Sequence, residues 1–156
     1  MQCALCAHRC IIAPDKLGIC QVRQNRQDEL VSLVYGQGIS QAVDPIEKKP
    51  LFHFLPGTEA VSVATVGCNC RCTFCQNAEI SQWPHGVQPI VGRSTPAGAV
   101  AEAAQRLGCR SIAYTYTEPA ISFEYASDVS VPARQAGLAN VFITCLLYTS
   151  PSPRDS

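Results

Sequence analysis

The sequence predicts an α/β fold: the opening strands of a parallel sheet with helical crossovers, preceded by a small cysteine-rich, β-containing metal-binding unit. Three observations carry this. After residue 58 short apolar runs alternate with helical segments, the rhythm of β/α units joined through a parallel sheet. Of ten cysteines, eight are gathered between Cys3 and Cys20 and between Cys68 and Cys75 rather than scattered, as metal ligands are. Apolar side chains make up 47% of the 156 residues, enough to bury a core and too many for a disordered chain.

Residues 1–28 are rich in Cys, Gln and Arg without lasting periodicity, which suits a segment organised by a bound metal. An apolar run at 30–35 predicts a strand, punctuated by Gly36 and Gly38, and 39–43 predicts a second. Asp44-Pro45 and Lys49-Pro50 mark turns, 51–55 is a further apolar stretch, and Pro56-Gly57 is the expected boundary between units 1–58 and 59–144. The run 61–66 predicts a buried strand that leads directly into the second cysteine group. Residues 76–93, with Trp83-Pro84, Gly86, Pro89 and Gly92, read as a loop-rich connection. A helix is expected from Thr95-Pro96, with Val100, Ala101, Ala104 and Leu107 on one face and Gly108 at its end. A strand over 111–117, a helix over 121–135 bent at Pro132 and a strand over 141–144 complete the pattern. Residues 145–156 pack Ser/Pro turns into a tail that resembles a translated sequencing adapter. They are expected to be non-native, with the rest of the catalytic domain lacking.

Composition excludes several classes. Twelve basic side chains balance twelve acidic ones, with no long run of either sign, so neither nucleic acid nor an anionic membrane has an electrostatic footprint here. No apolar stretch reaches bilayer length, and no export signal opens the chain. Clustered thiols without such a signal predict a reducing cytoplasm.

Cys68, Cys72 and Cys75 form a Cys-x3-Cys-x2-Cys set within an eight-residue loop. Three thiolates so spaced ligate three irons of a [4Fe–4S] cubane and leave the fourth open to a small molecule. Zinc would want a fourth ligand, which Cys70 offers, although Cys70 falls outside the spacing and reads as a bystander. Asn77 follows closely, where a side-chain amide reaches a sulfur or a ligand. In the first group Cys3, Cys6, Cys10 and Cys20 suit either Zn²⁺ or an auxiliary Fe–S cluster, with Gly18 giving a knuckle-like turn and His8 outside the ligand set. Metal would then supply most of that segment's folding free energy. Cys109 reads as a buried thiol, Lys48 and Lys49 as a solvated turn, and Trp83 and His85 as loop packing rather than a cofactor cover.

The triplet resembles that of the radical S-adenosylmethionine (SAM) superfamily. Pro45-Ile-Glu-Lys-Lys-Pro-Leu-Phe-His53, Cys75-Gln-Asn77, Tyr114-Thr-Tyr-Thr-Glu-Pro119 and the N-terminal cysteine pattern occur with it in order. Together they resemble the radical SAM enzyme of the AmmeMemoRadiSam system, a relative of pyruvate formate-lyase and other glycyl-radical activating enzymes. The resemblance implies a partial (β/α)6 barrel, of which 59–144 is the incomplete first part. It implies a [4Fe–4S] cluster and SAM as cofactors, and reductive cleavage of SAM to a 5′-deoxyadenosyl radical that activates a protein or modifies a small molecule. It places Phe74 near the adenine of SAM and Glu118 at its ammonium, with Thr117 as a hydroxyl partner. The glycines of the Gly-Gly-Glu-Pro motif are replaced here by Tyr116 and Thr117. An electron donor such as flavodoxin or ferredoxin is implied, with Memo-like and AMMECR1-like proteins as partners. The competing reading is a zinc-binding structural or interaction protein. Three strands do not close such a barrel, so the chain as written is expected not to turn over.

Overall fold

A computed structural model describes residues 1–84 and 88–145. His85 and the tail from residue 146 onward lie outside the described residues. The first element is a hairpin, β1 (Arg23–Arg26) against β2 (Glu29–Ser32); β2 overlaps the strand expected at 30–35, while β1 was not revealed by the sequence pattern. Its two-residue turn puts Gln27 at φ +52° and Asp28 at φ +59°, the two positive values of a type I′ turn. That turn favours Asn-Gly, so Gln-Asp hides it. Asp28→Gly is therefore expected to raise stability by about 0.5 kcal/mol, the relief of left-handed strain outweighing glycine's entropy, readable as a higher thermal midpoint.

The main sheet follows. β4 (Ser40–Pro45) runs antiparallel to β5 (Glu59–Ala64), which is parallel to β7 (Ser111–Tyr114), which is parallel to β8 (Ala139–Phe142). Two further two-residue strands, β3 (Gln37–Gly38) and β6 (Arg93–Ser94), pair with each other. The helices are a single turn α1 (Ala78–Ser81), α2 (Ala97–Arg106) and α3 (Phe123–Gln135). The period-two alternation of the strands separates two layers. Val61, Val63, Ile112 and Tyr114 pack with Val100, Ala104, Tyr125 and Val129 of α2 and α3, whereas Ala60, Ala113 and Val141 pack with Ile46 on the opposite side.

Several expectations shift by a few residues. β7 stops at Tyr114 because Tyr116 takes φ +69° and leaves the strand. Before α3, residues Pro119–Ser122 form a 3-10 turn. Thr95 does not cap α2: its hydroxyl donates to the Arg93 carbonyl, and Pro96 holds the cap position. Leu107 is half-exposed rather than on the buried face, while Gly108 ends the helix at φ +70°. The stretch 51–55 forms neither strand nor helix and leaves Phe52 and Phe54 exposed.

The boundary expected at Pro56-Gly57 is crossed by six residue pairs of β4 with β5. A second core ties the halves together, with Cys20, Val22 and Val34 packed on Val66 and Ile121. Arg23 of β1 adds a bidentate ion pair to Glu124 of α3 at 2.7 and 2.8 Å. Lys49 is not a solvated turn residue. It is 4% exposed and donates to Asp44 at 2.7 Å, because Asp44 points into the same buried layer as Ser62 of β5. Cys109 is buried, as expected. Among the described residues no helix is long and apolar enough to cross a membrane.

Candidate functional site

The three parallel strands end side by side, and their C-terminal loops enclose one cavity of about 220 Å³. β5 delivers the loop that carries Cys68, Cys70, Cys72 and Cys75; β7 delivers Thr115 to Glu118; β8 delivers Ile143 and Cys145. Ligands gather at this end of parallel strands because the loops there are free to vary on a rigid sheet. Cys68, Cys72, Cys75, Asn77, Thr117 and Glu118 all line the cavity. Phe74 does not: it is 85% exposed.

The carboxylate of Glu118 is 4% exposed and well occupied. Its Oε1 accepts from the Ala120 N–H at 3.2 Å and the Thr144 hydroxyl at 2.6 Å, and its Oε2 accepts from the Cys145 N–H at 2.7 Å. A carboxylate has about four acceptor positions, so Oε2 keeps one for a further donor. The Thr117 hydroxyl donates to the Thr65 carbonyl at 2.9 Å, which makes it a tie between the segments that follow β5 and β7, with only its lone pairs left for a ligand.

The sulfurs sit in distinct surroundings. Cys68 is buried, and burial pushes its thiol up; backbone N–H groups of Cys70 and Glu118 oppose this, and the Glu118 charge reinforces it. Burial also pushes the Cys70 thiol up to about 12, with the charges of Cys68, Cys145, Glu118 and Cys72 adding to it. Cys72 is exposed and Cys75 half-buried at 3.2 Å from the Ser81 hydroxyl. A metal bound here would displace protons from at least the buried thiols. Among the described residues no group of three or more His, Cys, Asp or Glu side chains is already drawn in around a metal-sized centre.

Sequence reasoning missed Ser81, Gln82 and Thr115 in the cavity wall, because no spacing rule reaches from the triplet to α1 or to the end of β7. It also missed what replaces the two glycines. Tyr116 adopts the left-handed conformation that a glycine there would favour. Its hydroxyl donates to Asp44 Oδ2 at 2.5 Å, and the Lys49 ammonium lies 4.7 Å from its ring centre. Trp83 packs beside Ile80 and Ile90 around Val66 and Val22, with its indole N–H donating to the Pro89 carbonyl at 2.9 Å.

The N-terminal cysteines lie next to this site rather than apart from it. Cys3, Cys6, Cys10 and Cys20 border a second, much smaller cavity together with Arg23 and Ile121. The exposed His8 reaches across: its Nε2–H donates to the Asn69 carbonyl at 2.8 Å, since a carbonyl only accepts. Arg71, within the triplet, donates back to the Ile19 carbonyl at 2.8 Å.

The chain is similar to an uncharacterized protein of Methanocaldococcus jannaschii, with 46% identity over 144 residues. The match takes in 92% of this chain and 43% of that protein, so the chain spans less than half the length of the relative it matches. No protein-family model matches the chain, and no solved structure does.

Proposed function

We propose that the chain is the cluster-binding part of a radical SAM enzyme of the activating-enzyme type. In this reading Cys68, Cys72 and Cys75 hold a [4Fe–4S] cluster and Glu118 receives the ammonium of SAM. The observation that carries it is the shared cavity: three thiols at cluster spacing and a buried carboxylate meet where three parallel strands end. The donors fit the group. The sulfurs are soft ligands of the kind iron–sulfur clusters take. Two backbone N–H groups facing Cys68 and the Ser81 hydroxyl beside Cys75 are donors that stabilise thiolate charge.

When bound, cluster and SAM would supply one-electron cleavage of a carbon–sulfur bond to methionine and a 5′-deoxyadenosyl radical, the electron coming from a flavodoxin- or ferredoxin-type donor. The protein's own part is placement. Glu118 Oε2 orients a cationic amine, Thr117 ties together the segments that follow β5 and β7, and Asn77 presents an amide at the cavity rim. The strands β5, β7 and β8 are the first strands of a partial (β/α)6 barrel in this reading, and cluster chemistry places the protein in a reducing cytoplasm.

Anaerobic reconstitution of the chain with iron and sulfide tests this. A cluster should assemble, and its reduced electron paramagnetic resonance spectrum should change when SAM is added. Alanine at Cys68, Cys72 and Cys75 should abolish both, and Glu118→Gln should weaken SAM binding about tenfold or more, the value of one charge-assisted hydrogen bond. Retention of cluster and spectral change in the triple variant would sink the assignment. A zinc reading has one observation in its favour, since Cys70 lines the same cavity and would make a fourth thiolate. One zinc and no sulfide in the reconstituted cavity would select it.

A further inference from the structure

The four N-terminal cysteines border a space of about 20 Å³, roughly the room of one small ion or water. A cubane of four irons and four sulfides is far larger, so the space suits a single ion. The residues around it anticipate negative charge. Four thiolates around one Zn²⁺ make a doubly anionic centre, which is costly to bury without compensation. Arg23 offers it a hydrogen-bond donor: the side chain borders the cavity, is only 5% exposed, and its buried Nε–H has no hydrogen-bond partner. Its other two nitrogens bind Glu124, which fixes the guanidinium in place. Backbone N–H groups of Val22 and Arg23 face the Cys20 sulfur, the knuckle arrangement that Gly18 permits with its N–H bonded to the Arg23 carbonyl at 2.8 Å.

We propose that Cys3, Cys6, Cys10 and Cys20 bind one Zn²⁺ tetrahedrally, and that this ion makes rigid the seat of the loop from Gly67 to Cys75. Such binding requires the four sulfurs to close to about 2.3 Å from a common centre, and the displaced thiol protons leave to solvent. The seat is defined by three contacts: His8 to Asn69, Arg71 to Ile19, and Cys20 and Val22 against Gly67. Each starts from a residue next to or between the four ligands. The zinc assignment stands on these cysteines alone, while its consequence for the loop deepens the radical SAM reading and rests on it.

The test uses the whole chain with Cys68, Cys72 and Cys75 all changed to Ala, so that the outcome does not depend on a cluster. Purified in zinc, this variant should hold about one zinc per chain and no sulfide. Cobalt substitution should give the intense visible bands of a tetrahedral thiolate site. Adding Cys6→Ala should lower metal content about tenfold, whereas Cys6→His, which still offers a ligand, should keep the metal and shift the cobalt bands. Cys6 is half-buried at the rim, so the pair separates ligation from folding. In the unmutated triplet, chelation should speed amide exchange at 67–72 by about tenfold or more. Iron and sulfide at the N-terminal cysteines, or zinc unaffected by Cys6→Ala, would overturn the site. Unchanged exchange at 67–72 with zinc confirmed would overturn the coupling and leave the radical SAM reading untouched.

Discussion

Asp44→Asn should destabilise the chain by about 3–5 kcal/mol, the usual cost of removing one partner of a buried ion pair. Asp44 is 5% exposed and accepts from four donors: Lys48 at 2.6 Å, Lys49 at 2.7 Å, Ser62 at 2.7 Å and Tyr116 at 2.5 Å. Asparagine keeps the shape but loses the charge and turns an NH2 group toward those donors. Lys49, itself 4% exposed, is then an ammonium with no counter-charge. Burial and the bond to Asp44 push the Tyr116 phenol up, so it stays a donor with nothing equivalent to donate to. The pH dependence identifies the cause. Burial alone would raise the Asp44 carboxyl, but its donors outweigh this and hold it well below the usual carboxylate range. Its stabilisation is therefore complete above the unfolded-state value of about 3.9 and fades as pH falls below it. Urea unfolding at neutral pH should show the full difference between parent and variant, and the gap should narrow in acid. A difference that stayed constant would mean that the loss comes from packing and not from charge.

How much of this was legible follows from the range of each interaction. The triplet and the N-terminal cysteines are local in sequence, and their spacing was enough to nominate them. The strands at 61–66 and 111–117 were visible as apolar runs; β5 overlaps the first, shifted by two residues, and β7 lies within the second. The Asp44 network was not visible, because Asp44-Pro45 and Lys49-Pro50 carry the marks of an ordinary turn. Only the antiparallel register of β4, which sets Asp44 opposite Ala60 and beside Ser62, brings them under Tyr116. The same limit hid the contact between the cysteine groups. A β-rich segment separates them in sequence and suggests independence, yet the β1–β2 hairpin folds back so that Cys20 and Val22 meet Val66. Phe74 is a different case. Its assignment near the adenine followed from resemblance alone, and among the described residues it is exposed and does not line the cavity.

Gly67→Ala should cost about 2–4 kcal/mol, combining left-handed strain with overpacking of a filled core. Gly67 has φ +90°, and a Cβ built there would lie 2.5 Å from Val22 Cγ1 and 2.9 Å from the Cys20 carbonyl oxygen. Neither neighbour can give way easily. Val22 is fully buried and stiff at its branched carbon, and the oxygen belongs to the backbone of a proposed zinc ligand. The glycine N–H also donates to the Ile80 carbonyl at 2.9 Å, so the loop is pinned from its other side by α1. Relief has to come from lifting the 67–75 loop off the N-terminal unit. That movement separates Asn69 from His8 and carries Cys68 away from the Glu118 N–H. Two readouts should therefore change together: the unfolding free energy falls, and iron–sulfide reconstitution loses yield. Val22→Ala in the same chain removes the closest atoms and should recover part of the reconstitution yield even though it adds a cavity cost of its own. If reconstitution in Gly67→Ala equals that of the parent, close packing between the two cysteine regions has no bearing on how the triplet is held.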